Sequence, residues 1–285
     1  MPTPTECYEK KVVRRDSAQA NAKCESRSPK PLAGNPISDL EFQIPDVPAN
    51  RYMAVKSLWE FVFATFLLIL TSPVILLIVT LVRLTSRGPG IYSQVRLGWL
   101  GRPYRIFKIR TMAHECEKRS GACWSGEHDP RVTRLGRFLR RTHLDELPQL
   151  WNVIRGDMSL IGPRPERPEF VPTLQQAIPH YTDRLLVRPG VTGLAQVQQP
   201  ADTDLESVRR KLAYDLYYVR QVSFWMDVRI MGCTLLKIVG VPYHILRGLF
   251  RMPSRYRVER AYRKLGGAFE PEVGKANMGT QMQIA

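Results

Sequence analysis

Arg140-Arg141-Thr142-His143-Leu144-Asp145-Glu146-Leu147-Pro148-Gln149-Leu150 sets an adjacent acid pair just behind two arginines, where helical spacing begins. Exposed N–H groups and the helix dipole favour negative charge in a first turn. Thr142 with Asp145 three residues on is compatible with a capping-box start, whereas Pro148 argues for a start nearer His143 to Asp145. Both registers stay open. Adjacent helical residues point about 100° apart, so the two carboxylates need not share one task. One can act as nucleophile while the other helps hold a divalent cation or handles a proton. The plain alternative is that the pair only caps a helix.

Upstream, Phe61–Val82 runs for 22 residues without a charge. As a straight helix it would measure about 33 Å, enough to cross a bilayer core. Ser72-Pro73 lies in its middle, where proline removes a helix hydrogen bond and clashes with the preceding turn. Both flanks are basic, with Arg51 and Lys56 before it and Arg83, Arg87 and Arg96 after it, so the positive-inside tendency gives no direction of crossing. A helix broken at Ser72-Pro73 that enters and leaves by one face fits both observations. A kinked span and a buried soluble helix are the competing readings.

The formal net charge is +16, yet residues 1–50 hold seven Lys/Arg and seven Asp/Glu, so the whole excess lies in residues 51–285. Anionic headgroups, phosphorylated substrates and nucleic acid are candidate partners of such a surface. The five cysteines are scattered, which argues against a disulfide framework. Cys116, Cys123, His114 and His128 lack paired zinc-ligand spacing, and reduced thiols fit better. The polar N-terminus carries no visible cleavable signal.

Residues 1–50 read as a disordered polar tail, 51–86 as the membrane-embedded segment, 87–242 as a catalytic domain, and 243–285 as a basic helix with a loose end from 266. The expected fold is mixed α/β and mostly helical: a re-entrant helix, a small cytosolic domain with short strands, and interfacial amphipathic helices. Strands are expected at Ile91–Gln94 and Tyr104–Ile109, with turn residues at Gly98–Pro103 between them. A polar loop is expected at 113–130. Helices are expected at Leu135–Arg141, Leu144–Ile154, Leu205–Val222 and Trp225–Val239. Tyr243–Leu265 mixes apolar residues with seven Arg/Lys, as an interfacial or a solvated basic helix would. Four stiff basic elements surround the acid pair. Arg140 and Arg141 can pair with phosphate oxygens. Lys108 and Arg110 share one face of a strand. Arg164, in Ile161-Gly-Pro-Arg-Pro165, and Arg188, in Val187-Arg-Pro-Gly-Val-Thr-Gly193, sit on turns stiffened by proline and glycine.

The order FKIRTM, RRTHLDELPQLWNVIRGDMSLIGPRP, VRPGVTGLAQV and YDLYYVRQVSFWMDVRI resembles the bacterial sugar transferase family, the small monotopic polyprenyl-phosphate phosphoglycosyl transferases, over roughly residues 53–240. A membrane segment with a central Ser-Pro, here Ser72-Pro73, belongs to that pattern. The resemblance implies a re-entrant helix on the cytoplasmic face of the bacterial inner membrane. It implies Asp145 as nucleophile and Glu146 as its partner, both at a required Mg²⁺. It implies a UDP-sugar donor, a polyprenyl phosphate acceptor and a sugar-phosphoryl aspartate between them. Arg140 matches a family arginine near the pair, and Arg164 and Arg188 count by resemblance and chemistry; with Lys108 and Arg110 from the strand they make up the expected phosphate- and nucleotide-binding set. The 114–128 region and the basic tail beyond 240 have no counterpart in the pattern, and about 50 polar residues before the body match the small form of the family.

Two other function classes compete. A membrane-surface scaffold of the same fold would not need the intact acid pair. A nucleic-acid-binding protein would show a reading helix or an aromatic RNA-binding motif, and neither is present. The sugar, the glycan pathway served and the oligomeric state, with a homodimer compatible, are not written in the motifs.

Overall fold

The computed structural model describes residues 51–114, 116, 129–199 and 205–269. The expected tail at 1–50, most of the polar loop with Cys123 and His128, and the loose end from 270 onward lie outside the described residues.

Helix α1 (Arg51–Thr85) is a single 35-residue run with Pro73 inside it, where a break was expected. Proline leaves the carbonyl four residues back without its usual donor. Here that carbonyl belongs to Ile69, and the Ser72 hydroxyl donates to it at 2.8 Å. The Thr71 hydroxyl bonds back to Leu67 in the same way. The Ser-Pro pair thus carries its own remedy, which lets the helix pass through. Lys56, Glu60 and Ala64 are buried near one end of α1, and Ile78 and Val82 near the other. Residues 65–77 include none that is buried, and Phe66, Ile69, Leu70, Leu76 and Leu77 are exposed. An apolar surface of that length left bare in water is unfavourable.

After α1 come strands β1 (Ile91–Leu97) and β2 (Pro103–Ile109), an antiparallel hairpin with Ile91 opposite Ile109 and Leu97 opposite Pro103. The first strand extends three residues beyond the expected stretch. Next follow α2 (Arg134–Thr142), a 3-10 turn (Leu144–Glu146) and α3 (Gln149–Ile154), so the helix expected at Leu144–Ile154 is divided by Leu147-Pro148. The order continues with β3 (Ser159–Ile161), α4 (Val171–Ala177), a 3-10 segment (Tyr181–Leu186), β4 (Gly190–Thr192), α5 (Leu194–Gln198), α6 (Leu205–Arg220) and α7 (Phe224–Ile238). Strands β3 and β4 pair in parallel, Ser159 with Gly190 and Ile161 with Thr192. A Cβ on Gly190 would lie 2.0 Å from the Gly162 nitrogen, and one on Gly193 2.1 Å from the Gly162 oxygen. The glycines therefore permit this close pairing.

The expected helix at Tyr243–Leu265 is two: α8 (Tyr243–Leu249) and α9 (Arg255–Arg263). Pro253 cannot continue a helix, and the Ser254 hydroxyl caps the new one by accepting from the Arg257 N–H. Val258 and Tyr262 of α9 are buried in the core shared with α6, so this helix serves domain packing as well as surface. Phe269 packs on Tyr262 with ring centroids 5.2 Å apart.

Lys56, read from sequence as a flanking charge, is buried in a polar cluster that joins α1 to the domain. Its ammonium donates to Asp227 on α7, to the Tyr218 hydroxyl on α6 at 2.9 Å and to the Ile161 carbonyl on β3 at 2.9 Å. Glu60 lies 3.3 Å from the same ammonium and accepts from the Ser159 hydroxyl at 2.7 Å and the Leu160 N–H at 3.1 Å. The Tyr52 hydroxyl completes the shell of Asp227 at 2.7 Å. Removing one partner from a buried ion cluster strands the others without compensation. Lys56→Met leaves two buried carboxylates facing each other and is expected to cost about 3–5 kcal/mol, read as a lowered denaturation midpoint in detergent micelles.

Candidate active site

The site is assembled where α2, the 3-10 turn and α3 cross the hairpin. Helix α2 starts at Thr133, whose side chain accepts from the Gly136 N–H at 2.9 Å. A Cβ on Gly136 would stand 2.0 Å from the Thr111 carbonyl oxygen, so only glycine lets the helix sit this close to the chain beyond β2. That closeness brings Arg140 Nε to 2.9 Å from Thr111 Oγ1. His143 ends α2 in the left-handed conformation, φ 58°, and turns the chain so that Asp145 and Glu146 come next. Helix α3 is fixed to β2 by fully buried Asn152. Its amide donates to the Arg105 carbonyl at 2.7 Å and its oxygen accepts from the Phe107 N–H at 3.1 Å. The side chain mimics a neighbouring strand and sets the acid pair beside Lys108, the next residue of β2.

Glu146 is held on two sides. Lys108 Nζ lies 2.8 Å from Oε1. Arg164 reaches across from the turn after β3, with Nη2 at 2.6 Å from Oε1 and Nη1 at 3.4 Å from Oε2. The Arg164 carbonyl in turn accepts from Arg184, which pairs with Asp215 of α6 at 2.7 Å. Burial alone would raise the Glu146 carboxyl, but Arg164 and Lys108 overcome it and hold the group well below the usual carboxylate range.

Asp145 is equally buried, and among the described residues its carboxylate takes part in no hydrogen bond or ion pair. Burial and then the Glu146 charge push it up to about 6, against the pull of Lys108, Arg140 and Arg164. One carboxylate is locked as an anion and its neighbour is left poised near neutrality. Environments that push two adjacent acids apart mark different chemical roles.

The structure brings together Lys108, Arg140, Asp145, Glu146 and Arg164. Arg110, on the same strand face as Lys108 by its spacing, is instead tied to the residues just after α1. It donates to the Ser86 carbonyl at 2.9 Å, the Ser86 hydroxyl at 2.7 Å and the Arg87 carbonyl. Arg188 faces α1 at its other end, with Nη1 donating to Ser57 at 2.8 Å. Ser72 and Pro73 lie in the bare middle of α1. Among the described residues there is no group of three or more His, Cys, Asp or Glu able to cage a metal. Two adjacent carboxylates suit a magnesium ion completed by substrate phosphates and water, the usual manner of binding that ion. Thr111, Gly136 and Asn152 position the site and were not singled out from sequence. A glycine inside the basic helical stretch Arg134–Thr142 was the one available signal.

The Asp145 carboxyl carbon, assigned by its loss in Asp145→Asn and followed by NMR with labelled aspartate, is expected to titrate near pH 6. The anion is therefore present above that pH and is lost as pH falls through it. Glu146→Gln removes a repelling charge and leaves Lys108 and Arg164 to act on Asp145, so the titration moves to lower pH.

Residues 51–240 match the family model described as bacterial sugar transferase. The chain is 40% identical over 193 residues to the UDP-N-acetylgalactosamine-undecaprenyl-phosphate N-acetylgalactosaminephosphotransferase of Aeromonas hydrophila, covering 68% of this chain and 45% of that one. It is 41% identical over 195 residues to the UDP-glucose:undecaprenyl-phosphate glucose-1-phosphate transferase of Klebsiella pneumoniae, covering 67% and 42%. It is 41% identical over 178 residues to the protein of that name from Caulobacter vibrioides, covering 62% and 66%. The chain thus spans under half the length of the first two relatives. Matched along the helix, the hairpin, the acid-pair turn and both proline-stiffened turns, this chain belongs to the bacterial sugar transferase family.

Proposed function

We propose that the protein transfers a sugar-1-phosphate from a UDP-sugar to polyprenyl phosphate. The observation that carries this is the contrast between unpaired, poised Asp145 and Glu146 locked by Lys108 and Arg164. A carboxyl group is a nucleophile as its anion, through a lone pair left free, and Asp145 meets both needs near neutral pH. In the first half-reaction an Asp145 oxygen attacks the sugar-bearing phosphorus of the donor. The bond from that phosphorus to the UMP oxygen breaks, and UMP leaves. In the second, a phosphate oxygen of the acceptor attacks the same phosphorus and returns the aspartate. The products are polyprenyl-diphosphate-sugar and a free carboxylate. Arg140 and Arg164 flank the pair and can offset the charge of the diphosphate. Magnesium, held by Asp145 and Glu146, would supply further charge neutralisation at the phosphates.

The re-entrant reading of α1 draws support from its two ends. Lys56 and Glu60 pack on α6, α7 and β3, while Ile78 and Val82 pack on Ile109 and Leu139. Both ends meet one charged domain that cannot sit on two sides of a bilayer. A bend at Pro73 within the unbroken helix would let the bare stretch between them dip into lipid and return, with the domain on the cytoplasmic face of the bacterial inner membrane. Exposed Phe224, Trp225 and Val228 on α7 adjoin the start of α1, Tyr52 against Phe224 at 6.1 Å, and extend the apolar contact along the interface.

Incubation with Mg²⁺ and a panel of UDP-sugars, without lipid, is expected to add one sugar-phosphate to the intact-protein mass. The adduct should be absent in Asp145→Asn and discharged by undecaprenyl phosphate. No adduct and no UMP release with acceptor present would leave a membrane-surface scaffold as the better reading. For topology, cysteines placed at Arg51 and Arg87 in a cysteine-free variant should both resist an impermeant maleimide in spheroplasts and react once the membrane is permeabilised. Labelling of only one before permeabilisation identifies a crossing helix.

A further inference from the structure

We infer that the cavity between the first turns of α1 and the β4 turn binds an anionic phospholipid of the bilayer, at a site separate from the acid pair. The cavity measures about 570 Å³, within the ~300–1,000 Å³ range of small-molecule sites. Apolar groups from Met53, Ile161, Leu186, Val187 and Val222 line it, with Trp99 among them. Two cations, Arg51 and Arg188, border this apolar space. Arg188 is half-buried, and among the described residues it makes one hydrogen bond, to Ser57, and no ion pair. A guanidinium has five donors in a planar fork suited to phosphate oxygens. The polar groups deeper in the wall, Lys56, Glu60, Ser159 and Tyr218, are already engaged with one another, so they do not supply that anion.

An apolar pocket with an under-used guanidinium fits a ligand with a hydrocarbon chain and a phosphate head. The position selects its source. The cavity lies at the end of α1 that enters the membrane, and none of Lys108, Arg140, Asp145, Glu146 and Arg164 lines it. The Arg188 guanidinium is turned to Ser57 on α1 and away from that group, which favours a resident lipid over the acceptor. Such a lipid bridges Arg51 and Ser57 on α1 to the turn leading into β4. The inference rests on the membrane reading of α1 and not on the transfer reaction.

The full chain is reconstituted in nanodiscs of phosphatidylcholine with phosphatidylglycerol, and retained lipid is read by native mass spectrometry. One phosphatidylglycerol per chain is expected above the phosphatidylcholine background, and equally in Asp145→Asn, which separates this result from any failure of catalysis. Arg188→Gln should lower retention about tenfold or more, the loss of a charge-assisted contact. Ala54→Trp, which fills the cavity without touching a charge, should lower it similarly, and matched melting curves identify variants that have kept the fold. Equal retention of both lipids, or retention unchanged in both variants, overturns the site. Displacement by millimolar inorganic phosphate overturns the lipid in favour of a bare anion site. One-for-one displacement by undecaprenyl phosphate, with the same dependence on Arg188, overturns the phospholipid in favour of the acceptor.

Discussion

Burying a charge is tolerable only when its partners are buried with it, and Lys56 shows what that constraint builds. Its ammonium gathers Asp227 from α7, Tyr218 from α6, the Ile161 carbonyl from β3 and Glu60 from its own helix. Three stretches far apart in sequence, α1, β3 and the consecutive helices α6 and α7, are fixed by one cation. Because β3 continues directly into the turn that presents Arg164, the cluster fastening the apolar helix also sets the platform for one wall of the active site. Glu60 extends the tie by accepting from Ser159 and Leu160 on β3 itself. The apolar helix is therefore an integral member of the domain, clamped by polar chemistry at its start and by Ile78 and Val82 at its end.

The same constraint acts at the acid pair with an opposite result. Two adjacent buried carboxylates are not compensated equally by the cations around them. Lys108 and Arg164 both reach Glu146, and Asp145 is left with attraction only from a distance. The asymmetry comes from geometry: the 3-10 turn brings Glu146 within hydrogen-bond reach of Lys108 on β2 and of Arg164, and leaves Asp145 outside it. A locked anion beside a poised one is the division of labour that covalent phosphoryl chemistry calls for. Arg140, held by Thr111, faces Asp145 without satisfying it.

Much of this was legible in the sequence. The uncharged run at 61–82, the hairpin, α2 and the long helices α6 and α7 follow from spacing and turn residues. The acid pair, its neighbouring arginines and the two proline-stiffened turns were readable as chemistry before any contact was known. Local pattern failed where a distant partner decided the outcome. Lys56 reads as a flanking charge until Asp227 is seen beside it. Arg110 has no local sign of the bonds it makes to Ser86 and Arg87, just past the end of α1. Ser72-Pro73 reads as a break until the Ser72 hydroxyl satisfies the carbonyl that proline abandons.

The sequence by itself determined which residues could do chemistry and which segment must avoid water, because charge type, hydropathy and backbone restriction are properties of each residue. Only the tertiary structure decided that the Ile161–Pro165 and Val187–Gly193 turns rise from one parallel pair of strands, and that one carboxylate is paired while its neighbour is not. Those outcomes depend on which cation arrives within about 3 Å of which oxygen, and Coulomb attraction between charges brought together from distant parts of the chain has no local signature.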